Sequence, residues 1–142
     1  MRQSDVTDFL SSLKIAATGL TAQNARMRVI AENLANADSA GKTPTDEPYR
    51  RRIPTFQAVM DSNAGGEVVK LGKIALDMSD FQERYEPGHP AADANGYVKY
   101  PNVDPLIETM DMREAQRTYE ANLNVVTVTR QMLSRTIDIL KA

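Results

Sequence analysis

The sequence predicts a mainly α-helical fold with a small β-rich insert, and three observations predict it. Apolar residues recur seven apart near both termini. Proline and glycine gather in the middle of the chain. A strong helix-start signal opens the last third, at Asp104-Pro105.

The first helix is expected from Ser4 or Asp5, either a fair N-cap, to about Asn36, a stretch with no proline and one glycine, Gly19. Val6, Leu13, Leu20, Met27 and Leu34 form its apolar ladder. With 42% apolar residues, a given register is filled five times in five about once in eighty. A companion stripe of Leu10, Ala17, Asn24 and Ala31 is smaller and partly polar. The segment ends in Asn33, Asn36, Asp38, Ser39 and Gly41, residues that favour caps and turns. Asn36 reads as the cap.

In the second helix, Asp104 can cap, and Pro105 suits the first helical position because its missing N–H needs no partner there. From Leu106 to Leu140 there is no glycine or proline. Met112, Tyr119, Val126, Leu133 and Leu140 repeat the seven-residue spacing, with a half-polar companion stripe of Gln116, Leu123, Arg130 and Ile137. The β-branched run Val125–Thr129 is weak helix material, so packing must hold it.

Between Gly41 and Asn102 lie six of the seven prolines and five of the seven glycines. Strand-like runs are expected at Tyr49–Met60, Glu67–Leu76 and Phe81–Tyr85. Turns are expected at Asn63–Gly66, Asp77–Asp80 and Pro87–Pro90. The expected organisation is therefore a discontinuous helical assembly domain, 1–40 with 103–142, around a β-rich insert at 41–102. The simplest way to cover both ladders is a coiled-coil-like hairpin of the two terminal helices. A two-helix seam is narrow beside the entropy of ordering such long segments, so other helix faces should be buried against further subunits.

Composition narrows the function. The chain of 142 residues has a net charge of −2 and a pI near 5.4, which point to neither nucleic acid nor an anionic membrane. No apolar run is long enough to span a bilayer. With no cysteine, disulfides, thiolate zinc sites and thiol chemistry are excluded. Asp5, Asp8 and Lys14 interrupt what would be the apolar part of a cleaved signal, so export without one is the expectation.

Nothing reads as catalytic, and neither cofactor nor metal is expected. His89, the single histidine, lies between Gly88 and Pro90 without a nucleophile pattern. Asp93–Gly96 resembles part of a calcium loop, but Ala91 and Asn102 stand where ligands are required, so a tight turn is the better reading. Arg50-Arg51-Arg52 reads as a solvated strand edge, or else as a contact for an acidic neighbour. Asp77 and Asp80 flank a turn. Asn122, beside Tyr119 and Val126, is either an interfacial hydrogen-bonding residue or an ordinary surface asparagine. The candidate interface is thus Val6, Leu13, Leu20, Met27, Leu34, Met112, Tyr119, Asn122, Val126, Leu133 and Leu140.

Three segments carry a family resemblance. SLKIAATGLTAQNARMRVIAENLANADS (Ser12–Ser39) resembles the N-terminal motif of the bacterial flagellar axial proteins of rod and hook. NVDPLIETMDMREAQRTYEANLNVV (Asn102–Val126) is similar to their C-terminal motif. YEPGHPAADANGYVKYPNVD (Tyr85–Asp104) is the sharpest match and points to the proximal rod type. The usual Asn-Thr-Pro-Gly-Tyr continuation is replaced after Asn36 by ADSAGKTPTDEPYRRR, which is similar to the short rod type and unlike the distal rod and hook. The resemblance implies a structural subunit of the basal-body rod, exported by the flagellar type III apparatus and assembled in the periplasm. It implies partners among other copies of itself and other rod proteins, with both terminal helices in the inner tube wall. The alternative is a soluble coiled-coil adaptor that binds one partner helix.

Overall fold

The computed structural model describes residues 3–141. Met1, Arg2 and Ala142, which the sequence reading assigns to the helical domain, lie outside the described residues. Helix α1 spans Gln3–Ala35 and α2 spans Pro105–Lys141. Between them are six short strands: β1 Arg52–Ile53, β2 Phe56–Asp61, β3 Gly66–Leu71, β4 Ala75–Leu76, β5 Gln82–Tyr85 and β6 Tyr97–Tyr100. They pair antiparallel as β1–β4, β2–β3 and β5–β6. Two long helices with a small β region between them are therefore what the sequence folds into.

Helix boundaries follow local chemistry. The Leu106 amide donates to Asp104 Oδ1 at 2.9 Å, which is the expected N-cap bond of α2. At the end of α1 the Asn36 amide and side-chain nitrogen both donate to the Glu32 carbonyl, at 3.1 and 2.8 Å, so Asn36 satisfies the last turn as a cap should. The start of α1 differs from expectation. Ser4 and Asp5 are already helical, and Asp5 instead places a negative charge in the first turn, where the helix dipole favours it.

The strand runs were expected too long. Tyr49–Met60 breaks at Pro54-Thr55, and Glu67–Leu76 breaks after Leu71, because proline removes a ladder donor and glycine weakens a strand. Strand β6 was not expected at all. Tyr97–Tyr100 is short and holds a lysine, so its alternation is faint in the sequence.

The chain divides into two compact units. The first holds α1 through Arg26, Phe56–Gly72, and α2 from Glu114. Here Gly19 lies against Asn122 and Arg26 pairs with Glu114 at 3.6 Å. Ascending residues of one helix meet descending residues of the other, so the two segments are antiparallel. Small residues line their buried sides, among them Ala16, Ala22 and Ala115, which allows close approach. The β2–β3 hairpin leans on α1. Lys14 Nζ donates to the Asn63 carbonyl at 3.0 Å, and Val68 and Ala64 are buried beneath it. A lone two-stranded hairpin is marginal in water, so this support is what holds it.

The second unit holds Met27–Thr55 and Lys73–Arg113. One apolar cluster in it is small: Ala91, Val98 and Tyr100, with Ala40 and Ala92 packed on it. Gly96, at φ 87°, closes the turn from Asp93 into β6, and Asp93 Oδ1 accepts from the amides of Asn95 and Tyr97, both at 2.9 Å. This is the tight turn expected from Asn95-Gly96. Val29, Ile30, Ala37 and Val103 of this unit are buried too, as are two polar residues, Asn33 and Glu108.

Candidate assembly surfaces and their polar anchor

In the second unit Asn33 and Glu108 are completely buried. Asn33 Nδ2 donates to the Arg52 carbonyl at 2.8 Å and to Glu108 Oε2 at 3.2 Å. Its Oδ1 accepts from the Tyr49 hydroxyl at 2.7 Å and from the Arg52 amide at 3.0 Å. Every bonding position of that amide is filled, which a buried polar group requires. Glu108 Oε1 binds the Arg51 guanidinium, which also reaches Asp111 at 3.4 Å and Asp77 at 3.6 Å. Arg51's own amide donates to Asn102 Oδ1 at 2.8 Å.

This corrects the reading of Arg50–Arg52 as a solvated edge. Arg51 anchors a cluster of three carboxylates, Arg52 pairs with Glu32 at 3.1 Å, and Arg50 stacks over the Phe81 ring at 4.2 Å while donating to the carbonyls of Asp77 and Ser79. Charge alone does not reveal such roles, because the acidic partners are far away in sequence.

The cluster perturbs titration in understandable ways. Burial opposes the charge on Arg51, but its bond to Glu108 and the fields of Asp111 and Asp77 outweigh that, so its pKa rises. Asp77 is held below the usual carboxylate range, chiefly by the Ser79 amide, then by the Ser79 hydroxyl, with Arg51 adding to the effect. Burial pushes the Tyr49 phenol up, partly offset by Arg52. In β6, the bond from the Tyr100 hydroxyl to Glu86, at 2.9 Å, raises the Tyr100 pKa.

The expected interface residues fall into a graded pattern. Val6, Leu13, Leu20, Met27 and Leu34 on α1 are half-buried within the chain, as are Met112, Tyr119, Asn122, Val126 and Leu133 on α2. Leu140 is 63% exposed. The residues that share the covered side of α2 with the ladder are Glu108, Ala115, Asn122, Thr129 and Thr136. The half-polar companion stripe, Gln116, Leu123, Arg130 and Ile137, is exposed. The difference is one residue, or about 100° around a helix, and it arises because hydrophobicity cannot identify a covered side made of small and polar groups.

Exposed apolar side chains then define a second side of α2. Val125, Val128, Met132 and Ile139 are exposed and follow one another at spacings of three, four and seven, which places them on one stripe. The outward side of the hairpin adds Phe56, Met60 and Val69. Beside it a slot of about 240 Å³, almost wholly apolar, lies between Thr18, Ala22 and Ala25 of α1 and Val69 and Leu71 of β3. Apolar surface this extensive marks a site of association in a folded protein. Among the described residues no helix is both long and apolar enough to cross a membrane.

Comparison with known proteins agrees with this reading. Residues 13–41 match the family described as flagella basal body rod protein. Residues 94–139 match the flagellar basal body rod FlgEFG protein C-terminal family. The flagellar basal-body rod protein FlgC of Agrobacterium fabrum is 53% identical over 91% of this chain and 93% of its own length. Its counterpart in Bacillus subtilis is 40% identical over 92% of this chain and 97% of its own. That of Salmonella typhimurium is 40% identical over 92% and 96%. The chain belongs to the FlgC family of flagellar basal-body rod proteins, and it is a structural subunit of the rod rather than an enzyme.

Proposed function

We propose that this subunit enters the rod through the outward side of α2, with the terminal segments 1–40 and 103–142 as the assembling part and the insert 41–102 giving lateral contact. The observation that carries the reading is the exposed stripe Val125, Val128, Met132 and Ile139. It lies on a helix whose other side is already covered, so the chain carries more apolar surface than it can hide. The two helices act as a coiled-coil-like hairpin, supported by the antiparallel pairs Gly19–Asn122 and Arg26–Glu114. The half-buried ladders complete their burial against neighbours. Those neighbours are other copies of the chain and other rod proteins. Their contacts are head-to-tail, which extends a tube rather than closing a dimer. Rigidity under torque comes from many such helix contacts moving together.

The flagellar type III apparatus exports the chain, without removal of a signal peptide, into the periplasm. This route rests on the likeness to FlgC rod proteins. The adaptor reading is less favoured, since the FlgC relatives span nearly the whole chain. The test is a clean deletion strain. The reading expects loss of motility, with basal bodies stalled before the rod is complete and rescue by the gene in trans. Normal swimming of the deletion strain overturns it.

A further inference from the structure

The turn that leads into β6 carries a chemically reactive pair, Asn95-Gly96. Glycine has no side chain to shield its backbone nitrogen. In an open chain the Gly96 nitrogen, once it has given up its proton to base, attacks Asn95 Cγ. A bond forms between them, the Cγ–Nδ2 bond breaks, and the leaving nitrogen takes up a proton and departs as ammonia. The product is a cyclic succinimide, which water opens to aspartate or isoaspartate.

Asn95 is exposed, and among the described residues no hydrogen bond holds its side-chain amide. The group to be attacked is therefore open to water. The attacking group is not. The Gly96 amide donates to the Asp93 carbonyl at 3.0 Å. The amides on either side of it, of Asn95 and Tyr97, both donate to Asp93 Oδ1 at 2.9 Å. Three successive amides thus end on one residue, whose own amide donates to the Tyr97 carbonyl at 2.9 Å. The Gly96 carbonyl accepts from the Glu86 amide at 2.9 Å. Gly96 is also buried, crowded by the Tyr85 ring and Pro87. For its nitrogen to reach Asn95 Cγ, these bonds must break and the backbone must turn. A buried, bonded amide reacts only through such local opening.

We propose that Asn95-Gly96 is a latent deamidation site, and that Asp93 is the positioning residue that keeps it closed by holding the amides of Asn95, Gly96 and Tyr97. Reaction would place a new carboxylate beside Asp93. As isoaspartate it would also insert an extra backbone atom into a turn already tied at every amide. The inference stands on this turn alone and is independent of how the subunit assembles.

The test ages the full chain in mildly alkaline buffer and follows Asn95 by peptide mapping, which separates asparagine, aspartate and isoaspartate. Each protein is aged folded and in guanidinium chloride, and the ratio of the two rates cancels changes in intrinsic reactivity. For the native sequence the proposal expects loss of Asn95 at least about tenfold slower in the folded chain, because opening must precede reaction. Equal rates overturn it. Asp93→Ala, checked for a cooperative melt, should lose most of this protection, whereas Asp93→Asn, which keeps an Oδ1 acceptor, should keep most of it. Full protection in folded Asp93→Ala overturns the role of Asp93, and so does a ratio for Asp93→Asn equal to that of Asp93→Ala.

If Asp93→Ala does not fold, hydrogen exchange in the native chain decides. The amides of Asn95, Gly96 and Tyr97 should be protected together, and small additions of guanidinium chloride should speed their exchange and the loss of Asn95 in parallel. Exchange at Gly96 as fast as in the denatured chain overturns the proposal, as does deamidation that does not follow that exchange.

Discussion

Asn122 occupies the space that a side chain at Gly19 would need: a Cβ there would lie 2.9 Å from Asn122 Nδ2. Two opposing effects follow for Gly19→Ala. The substitution favours the helix by about 0.5–1 kcal/mol, and the amide in the way is the far end of a side chain that can swing aside. The net change should be small, within about 1 kcal/mol. Gly19→Leu has no such escape and should destabilise by about 1–3 kcal/mol through overpacking. Adding Asn122→Ala should recover part of that loss. Denaturant melts of the two single variants and the double variant measure the coupling.

A second prediction concerns the turn before β6. Gly96 has φ 87°, and a Cβ there would lie 2.8 Å from Tyr85 Cε2 and 3.2 Å from Pro87 Cβ. Backbone strain and ring displacement act together. Gly96→Ala should therefore destabilise by about 1–3 kcal/mol, measured as a lower melting temperature. It should also disturb the edge-on contact between Tyr85 and Tyr97, whose ring centres are 5.4 Å apart. Tyrosine ring resonances in NMR spectra report that contact.

Stability should depend on pH through two groups of opposite sign. Asp77 has a depressed pKa, led by the Ser79 amide. Its contribution is fully present above the unfolded aspartate value, about 4, and is lost as pH falls through the lower folded value. Tyr49 has a raised pKa from burial. Its contribution is present below the unfolded tyrosine value, about 10, and is lost as pH rises through the higher folded value. Asp77→Asn should flatten the acid limb of a plot of melting temperature against pH. Tyr49→Phe should flatten the alkaline limb. If each limb is unchanged in its variant, these assignments are wrong.

A matched pair of substitutions separates folding from assembly. Val128 is exposed, so Val128→Asp should leave the stability of the isolated chain within about 0.5 kcal/mol and still abolish rod formation in cells. Leu133 is half-buried within the chain. Leu133→Asp should block assembly too, but at a cost of about 1–3 kcal/mol to the isolated chain from a poorly solvated charge. Swimming assays and melts on the same two variants check both halves.

Much of this architecture was legible in the sequence, because caps and breakers act locally. Asp104-Pro105 announces α2, the polar run after Leu34 ends α1, and Asn95-Gly96 marks its turn. The ladder positions, Leu140 apart, are half-buried within the chain. The polar anchor was not. Asn33 reads as one more residue of a polar helix end, Glu108 as a charge in the first turns of a helix, and Arg51 as the middle of a basic run. Their roles depend on partners up to 75 positions away, and nothing local predicts which polar residue finds a satisfied buried site. Which side of α2 is covered was not legible either, for a related reason. The covered side of α2 holds Ala115, Asn122 and Thr129, while larger apolar residues such as Leu123 face outward. A rule that sends hydrophobic residues inward works poorly for a helix whose exposed side carries Val125, Val128, Met132 and Ile139.

Cysteine accessibility at position 128 tests the central claim most directly. Val128→Cys is labelled with a water-soluble maleimide in the isolated chain and in purified basal bodies containing it. The account predicts ready labelling of the free chain and strong protection in the basal body. Equal labelling in both states would contradict it, because the outward side of α2 would then remain open to solvent in the finished rod.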